Sequence, residues 1–95
     1  MRLEVRSGPR AGSTIEVVRR PFVIGRDDSC DFVMRDQSAS RRHAALETTS
    51  DGGVVLRDLG STNGTFVGTV RITQPTTITM GTQVRIGKTI LELRK

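Results

Sequence analysis

Three short segments of the chain carry side chains that could together bind a phosphate group. The first contributes Arg26, the second Ser40 and Arg41, and the third Thr62 and Asn63. Guanidinium groups donate forked, charge-assisted hydrogen bonds to oxyanions, and hydroxyl groups can add short bonds to the same anion. Each hydrogen bond to a charged group contributes about 1.5–3 kcal/mol, so two or three would separate a phosphorylated ligand from its unphosphorylated form. The carboxamide of Asn63, both donor and acceptor, suits the main chain of an extended peptide beside that phosphate.

Simpler explanations exist for each of these residues. An arginine after a strand can be an ordinary solvated side chain, and the hydroxyls of Ser40 and Thr62 can satisfy their own turns. Asn63 and Gly64 could form a type I′ turn, which requires positive φ at both central residues. Arg41 could contact the phosphate or only raise the local potential. Arg42 is expected to face solvent.

The single histidine and the single cysteine do not indicate an active site. We expect His43 to be a structural histidine and Cys30, which lies in an apolar stretch, to be a small buried side chain. A nucleophilic pair of the two would need a third orienting group. One histidine and one cysteine are also too few for an ordinary zinc site. We therefore predict no catalysis, no metal and no cofactor.

The framework that must position these segments is predicted to be all-β. Short alternating apolar stretches recur between turns that contain glycine, proline or asparagine, and no window of a dozen residues shows a helical period. The stretches cover 3–5, 15–17, 22–24, 32–33, 43–48, 54–56, 65–67, 76–78, 83–86 and 89–94. This spacing is typical of a β-sandwich or barrel, in which loops at the ends present the binding groups.

Length and charge limit the class of protein. At 95 residues the chain is expected to be a single domain, 1–95, without room for a deep cleft between two lobes. Fifteen basic residues against ten acidic ones give a net charge of +5, which suits an anionic partner. No apolar run is long enough for a membrane span or a signal peptide, so we expect a cytoplasmic protein. A monomer is the simplest expectation.

The order of the three segments resembles the forkhead-associated (FHA) domain. The resemblance rests on Gly25–Arg26, then Ser40–Arg41–Arg42–His43, then Ser61–Thr62–Asn63–Gly64–Thr65, closed by the segment from Gly81 to Gly87 and a final strand. It covers essentially all 95 residues. It implies an eleven-stranded β-sandwich that binds phosphothreonine peptides through loops at one end.

The resemblance also implies a role for each matching residue. Arg26 and Ser40 would contact the phosphate with support from Arg41 and Thr62, and Asn63 would hydrogen-bond the peptide main chain just after the phosphothreonine. The structural residues would be Gly25, His43 and Gly64, of which the two glycines permit tight backbone paths and the histidine ties the loops together. Arg35, the only basic residue in the loop before Ser40, could favour an acidic residue three positions after the phosphothreonine.

These features predict a phosphothreonine-dependent adaptor without catalytic activity. Its partner would be a protein phosphorylated by a Ser/Thr kinase, or a phosphorylated segment of its own parent chain. The alternatives are a phospho-independent interaction module that uses a face of the sandwich, and a nucleic-acid-binding protein. The latter is disfavoured because basic residues are scattered and only three aromatic residues are present.

Overall fold

The structure, a computed structural model, describes residues 1–8, 10–18 and 21–95. These residues form eleven strands and contain no helix that could cross a membrane. The strands are β1 Arg2–Ser7, β2 Thr14–Glu16, β3 Phe22–Gly25, β4 Phe32–Val33, β5 Ala44–Thr48, β6 Val54–Asp58, β7 Thr65–Val67, β8 Val70–Arg71, β9 Thr76–Ile78, β10 Gln83–Ile86 and β11 Thr89–Arg94.

The strands form two sheets that pack as a sandwich. One sheet has six strands in the order β2-β1-β11-β10-β7-β8, and the other has five in the order β4-β3-β5-β6-β9. All strand pairs are antiparallel except β3 and β4, which run parallel. The inner faces of both sheets bury one aliphatic core, as the alternating sequence requires.

The alternation of side chains is clearest in the six-stranded sheet. In β1, Leu3 and Val5 are buried in the core, while Glu4 between them is only half-buried on the outer face. In the five-stranded sheet, β5 departs from this pattern because Ala44, Ala45 and Leu46 are all buried. The outer face of β5 is also covered, by a small cluster that includes Cys30. A continuous apolar run is the expected signature of a strand buried on both faces.

The predicted all-β sandwich with eleven strands is confirmed. The alternation pattern does not predict β8, because its two residues, Val70 and Arg71, are both exposed. Pro9 and residues 19–20, which belong to two of the expected turns, lie outside the described residues.

Strand ends that belong to distant parts of the chain meet at one end of the sandwich. The backbone N–H of His43, just before β5, donates to the carbonyl of Ile24 at 2.8 Å. The N–H of Leu59, just after β6, donates to the carbonyl of His43 at 2.9 Å. The loops that follow β3, β4 and β6 are thereby gathered at this end.

Candidate functional site

Three neighbouring loops hold all of the residues that the sequence singled out for phosphate binding. They are the β3–β4 loop, residues 26–31; the β4–β5 loop, residues 34–43; and the β6–β7 loop, residues 59–64. Hydrogen bonds between the loops are made by backbone groups, by the buried side chain of His43 and by the more exposed side chains of Arg26, Ser40 and Asn63. The site is therefore a rigid set of loop tips on a sheet framework.

Gly25 joins the first two loops by allowing their backbones to touch. A Cβ at this position would lie 2.1 Å from the carbonyl oxygen of Arg41, which no side chain can tolerate. The close approach lets the N–H of Arg26 donate to Ser40 O and the N–H of Asp27 donate to Arg41 O, both at 3.0 Å. Glycine is required here by space alone, because its φ is not in the left-handed region.

Arg26 is exposed, but its guanidinium is held in place. Its Nε–H donates to the carbonyl oxygen of Ala39 at 2.5 Å, across the two loops. Because Nε is engaged, the two terminal amino groups of the guanidinium remain for an anionic ligand. This is the arrangement that forked recognition of an oxyanion needs.

His43 is fully buried and ties the β4–β5 loop to the β6–β7 loop. Its Nδ1 accepts a hydrogen bond from the N–H of Ser40 at 2.9 Å, so Nδ1 carries no proton. The proton therefore sits on Nε2, which lies 2.8 Å from the carbonyl oxygen of Gly64 and donates to it. Both ring nitrogens are used inside the protein, which leaves neither for catalysis.

The hydroxyl of Ser40 links the same two loops at the surface. Its Oγ accepts a hydrogen bond from the N–H of Thr62 at 3.1 Å. A hydroxyl oxygen that accepts from the protein can still donate its own proton to a ligand. Ser40 is thus placed to donate to a phosphate beside Arg26 and Thr62.

Thr62 and Asn63 lie exposed at the tip of the β6–β7 loop. The Nδ2 of Asn63 donates to the carbonyl oxygen of Ser38 at 2.9 Å, while the side-chain oxygen and the second amide proton stay available for a peptide. The type I′ explanation for Asn63 and Gly64 is wrong, because no non-glycine residue in the described part of the chain has a positive φ. Of these two residues, only Gly64 has a left-handed φ, at +91°.

Asp58, which the sequence analysis missed, organises the β6–β7 loop from its base. Its carboxylate accepts hydrogen bonds from the N–H groups of Gly60 and Ser61 and from the hydroxyls of Ser61 and Thr65, at 2.6–3.0 Å. Partial burial raises the pKa of Asp58, but the hydrogen bonds outweigh it and hold the pKa below its usual value. An Asp followed by Gly and Ser two and three residues later is a recognisable turn signal.

Ser61 differs from its neighbour Thr62 in being a structural residue. Its Oγ donates to Asp58 and accepts from the N–H of Gly64 at 3.0 Å, and the residue is 9% exposed. The side chain of Arg71, from β8, lies against the α-carbon of Gly64, where a Cβ would be 2.5 Å from its Nε. Gly64 is therefore fixed both by its φ and by its neighbours.

The β3–β4 loop is held down by the small cluster on the outer face of β3 and β5. Cys30 packs with Val23 and Ala45, and its thiol donates to the carbonyl oxygen of Arg41 at 3.1 Å. Burial raises the pKa of this thiol, so it is a poor nucleophile. The side chains of Arg41 and of its neighbour Arg42 are exposed.

The turn between β10 and β11 supports the β4–β5 loop from the other side. The carboxylate of Asp36 accepts from the N–H of Lys88 and from the N–H of Ser38, each at 2.8 Å. A Cβ on Gly87 would lie 2.7 Å from Asp36. Arg35, which the sequence linked to ligand selectivity, forms an ion pair with Asp28 at 3.0 Å.

The arrangement offers cationic and hydroxyl donors, and the two carboxylates beside them, Asp27 and Asp28, are bonded to Ser29 and Arg35. Among the described residues there is no group of three or more His, Cys, Asp or Glu that could hold a metal. The guanidinium and hydroxyl donors of the site suit binding of an oxyanion.

Comparisons with known proteins point to one family. The sequence model of the FHA domain matches residues 22–87. The FHA domain-containing protein FhaB of Mycolicibacterium smegmatis is 42% identical over 92 residues, which are 97% of this chain and 59% of that protein. The oxoglutarate dehydrogenase inhibitor of Corynebacterium diphtheriae is 35% identical over 86 residues, with 90% and 59% covered. The chain thus spans 59% of the length of each of these relatives.

Solved structures show the same fold. A structure from an analysis of phosphothreonine-dependent FHA domain interactions has a TM-score of 0.87 and 29% identity, covering 99% of this chain and 94% of that one. EmbR of Mycobacterium tuberculosis, solved in complex with a low affinity phosphopeptide, has a TM-score of 0.87 and 26% identity, covering 98% of this chain and 24% of that one.

Proposed function

This chain belongs to the FHA domain family, and from that premise we propose that it binds phosphothreonine in partner proteins through its three gathered loops. It acts as an adaptor that recruits or responds to a protein phosphorylated by a Ser/Thr kinase, or to a phosphorylated segment of its own parent chain. Residues 1–95 form one binding domain, which is monomeric and works in the cytoplasm.

One observation carries the proposal: hydrogen bonds within the protein join the phosphate-binding candidates of the three loops. Arg26 is held by the β4–β5 loop, and Ser40 in that loop accepts from the N–H of Thr62 in the β6–β7 loop. Because the donors are held in place, little conformational entropy is lost when an anion binds. These contacts support a site that is ready for a phosphate dianion.

Each residue has a proposed part in binding. Arg26 and Ser40 contact the phosphate directly, and Arg41 and Thr62 add charge and a further donor. Asn63, whose Nδ2 is steadied by Ser38, presents its free amide oxygen to the ligand main chain after the phosphothreonine.

Absence of catalysis is part of the proposal. The only histidine has both ring nitrogens engaged by the backbone, and the only cysteine is buried with a raised thiol pKa. The names of the relatives describe FHA proteins and an inhibitor, which are regulatory roles.

The structure also offers little for nucleic acid. Of the three phenylalanines, Phe22 and Phe32 are buried in the core, and the ring of Phe66 is covered by the guanidinium of Arg85 at 4.4 Å. No free aromatic platform therefore remains for base stacking among the described residues.

The decisive experiment is capture from an oriented library of phosphothreonine peptides, with matched phosphoserine and unmodified threonine peptides. The variant Arg26→Ala should abolish capture, whereas Arg2→Ala, which removes an equal charge at the opposite end of the sandwich, should retain it. Capture that is independent of phosphate, or that survives Arg26→Ala, would overturn the proposal and move the search to a face of the sandwich.

A further inference from the structure

An open, polar cleft lies beside the proposed phosphate site and shares two of its arginines. It has a volume of about 260 Å³ and is lined by Arg26, Asp27, Asp28, Arg35 and Arg41. Three guanidinium groups and two carboxylates surround it, so one positive charge is left over. Its volume is ample for a carboxylate or a phosphate group.

The two carboxylates in the cleft differ in how firmly they are held. Asp27 Oδ1 accepts from the N–H of Ser29 at 2.8 Å, and this backbone bond holds the pKa of Asp27 below its usual value. Asp28 contacts Arg35 at 3.0 Å, and the two side chains are 82% and 73% exposed. Exposed ion pairs of this kind are weak. Arg35 can therefore exchange Asp28 for another anion at little cost.

The position of the cleft indicates which part of a ligand would reach it. All of its lining residues belong to the β3–β4 and β4–β5 loops, and none belongs to the β6–β7 loop. Asn63, proposed to hold the ligand main chain after the phosphothreonine, lies in the β6–β7 loop. Because no β6–β7 residue lines the cleft, a chain that leaves past Asn63 is expected to approach Arg26 and Arg41 from the side on which the cleft lies.

We propose that this cleft is a second anion subsite, which binds a carboxylate or phosphate group on a ligand residue that precedes the phosphothreonine. Arg35 supplies the binding guanidinium, and Asp28 competes with the ligand for it. This inference rests on the proposed function and names its ligand class: a phosphothreonine segment with a second negative charge on its N-terminal side.

Because Asp28 competes with the ligand for Arg35, the two residues should have opposite effects on the affinity for doubly charged ligands. Removing the Asp28 charge frees Arg35, so it should strengthen binding of doubly charged ligands more than binding of singly charged ones. Removing Arg35 should erase the difference between these ligands. A surface that only raised the general positive potential would act on ligands of equal charge by the same factor, whether the second charge precedes or follows the phosphothreonine.

The test compares dissociation constants for three phosphothreonine peptides. Within the three residues before the phosphothreonine, the first peptide has only neutral residues, the second has one glutamate, and the third has a second phosphothreonine. A fourth peptide carries the glutamate after the phosphothreonine instead. The variants are Asp28→Asn, Arg35→Gln and the double variant. As the matched control, Glu47→Gln opens the Arg57–Glu47 ion pair on the outer face of the five-stranded sheet.

The wild-type protein should bind the preceding-glutamate peptide about 3–5-fold tighter than the neutral peptide, as expected of an exposed ion pair. The affinity for the doubly phosphorylated peptide should exceed that for the neutral peptide by a larger factor. Asp28→Asn should raise these ratios, Arg35→Gln and the double variant should bring them to about one, and Glu47→Gln should leave them unchanged.

Ratios that persist in Arg35→Gln, or that the following-glutamate peptide shows to the same extent, would overturn the subsite. Arg26→Ala separates this failure from failure of the proposed function. If Arg26→Ala abolishes binding of the neutral peptide while the ratios ignore Arg35, only the subsite is wrong. If the neutral peptide binds Arg26→Ala normally, the proposed function itself is wrong.

Discussion

Asp58 accepts four hydrogen bonds, from Gly60, Thr65 and both donors of Ser61, and thereby fixes the path of the β6–β7 loop. None of these groups needs to touch a ligand. Their effect is to set where Thr62, the next residue, presents its N–H to Ser40. At the scale of single residues, the proposed phosphate site therefore depends on an acidic side chain that positions its donors.

We predict that Asp58→Asn lowers the free energy of unfolding by about 1–3 kcal/mol, because the carboxylate accepts charge-assisted bonds that an amide replaces only in part. Peptide binding should weaken as the loop loosens. Chemical denaturation and binding to a phosphothreonine peptide measure the two effects. Asp51→Asn, in the exposed β5–β6 turn, is the control, and it should leave peptide binding unchanged.

The same residue also contributes to acid sensitivity. The pKa of Asp58 in the folded protein lies below its unfolded value, so the unfolded state takes up the proton first. Its stabilising contribution is complete above the unfolded pKa of about 3.9 and is lost as pH falls through the lower folded pKa. The stability curve of Asp58→Asn should thus be less steep below about pH 4 than that of the wild type. An unchanged slope would contradict the folded-state hydrogen bonds.

At the scale of elements, the end of β3 is where the β3–β4 and β4–β5 loops meet. The backbone of Gly25 touches that of Arg41, and this contact sets the distance between Arg26 and Ser40. A loop geometry that relies on backbone contact cannot be restored by a side-chain rotation. The site should therefore be sensitive to a single methyl group at this point.

We predict that Gly25→Ala destabilises the protein by about 3 kcal/mol, as overpacking does, and reduces phosphopeptide binding by separating the two loops. Gly81→Ala is a suitable control, because Gly81 has a φ of +90° with nothing within 4 Å and lies at the opposite end. The strained backbone of Gly81→Ala should lower the free energy of unfolding by about 1–2 kcal/mol. Thermal unfolding compares the stabilities of the two variants, and calorimetry below the melting temperature compares their affinities for the phosphopeptide. Equal losses of binding would contradict the role of the backbone contact.

At the scale of the whole molecule, a net charge of +5 and four arginines in the three loops suit a dianionic ligand. The second pKa of a phosphorylated side chain is about 6. The affinity for a phosphothreonine peptide should therefore fall between pH 7.5 and 5.5 as the ligand loses charge. It should also fall moderately with added salt, since the contacts are partly exposed.

Titration calorimetry at three pH values and two salt concentrations measures this dependence. Circular dichroism at the same pH values provides the control for folding. A flat affinity profile over this pH range would contradict recognition of the phosphate dianion, even if binding itself were observed.

The sequence by itself determined the class of fold and the inventory of the site. Strands that are buried on one face must alternate, as Leu3 and Val5 do, and this local periodicity can be read without any tertiary information. The order of Arg26, Ser40 and Asn63 along the chain indicated which loops would carry the donors. A strand without alternation, such as Val70–Arg71, gave no signal.

Tertiary structure alone decided how those residues are used, because the deciding contacts join distant parts of the chain. The bonds from His43 to Gly64, Thr62 to Ser40 and Asn63 to Ser38 span 21, 22 and 25 residues. The fold also buries Ser61 as a structural residue while Thr62 stays exposed, and the φ values of the described residues exclude the type I′ turn. Pairing of Arg35 with Asp28 was equally invisible, since spacing in sequence does not determine which charges meet once the loops are gathered.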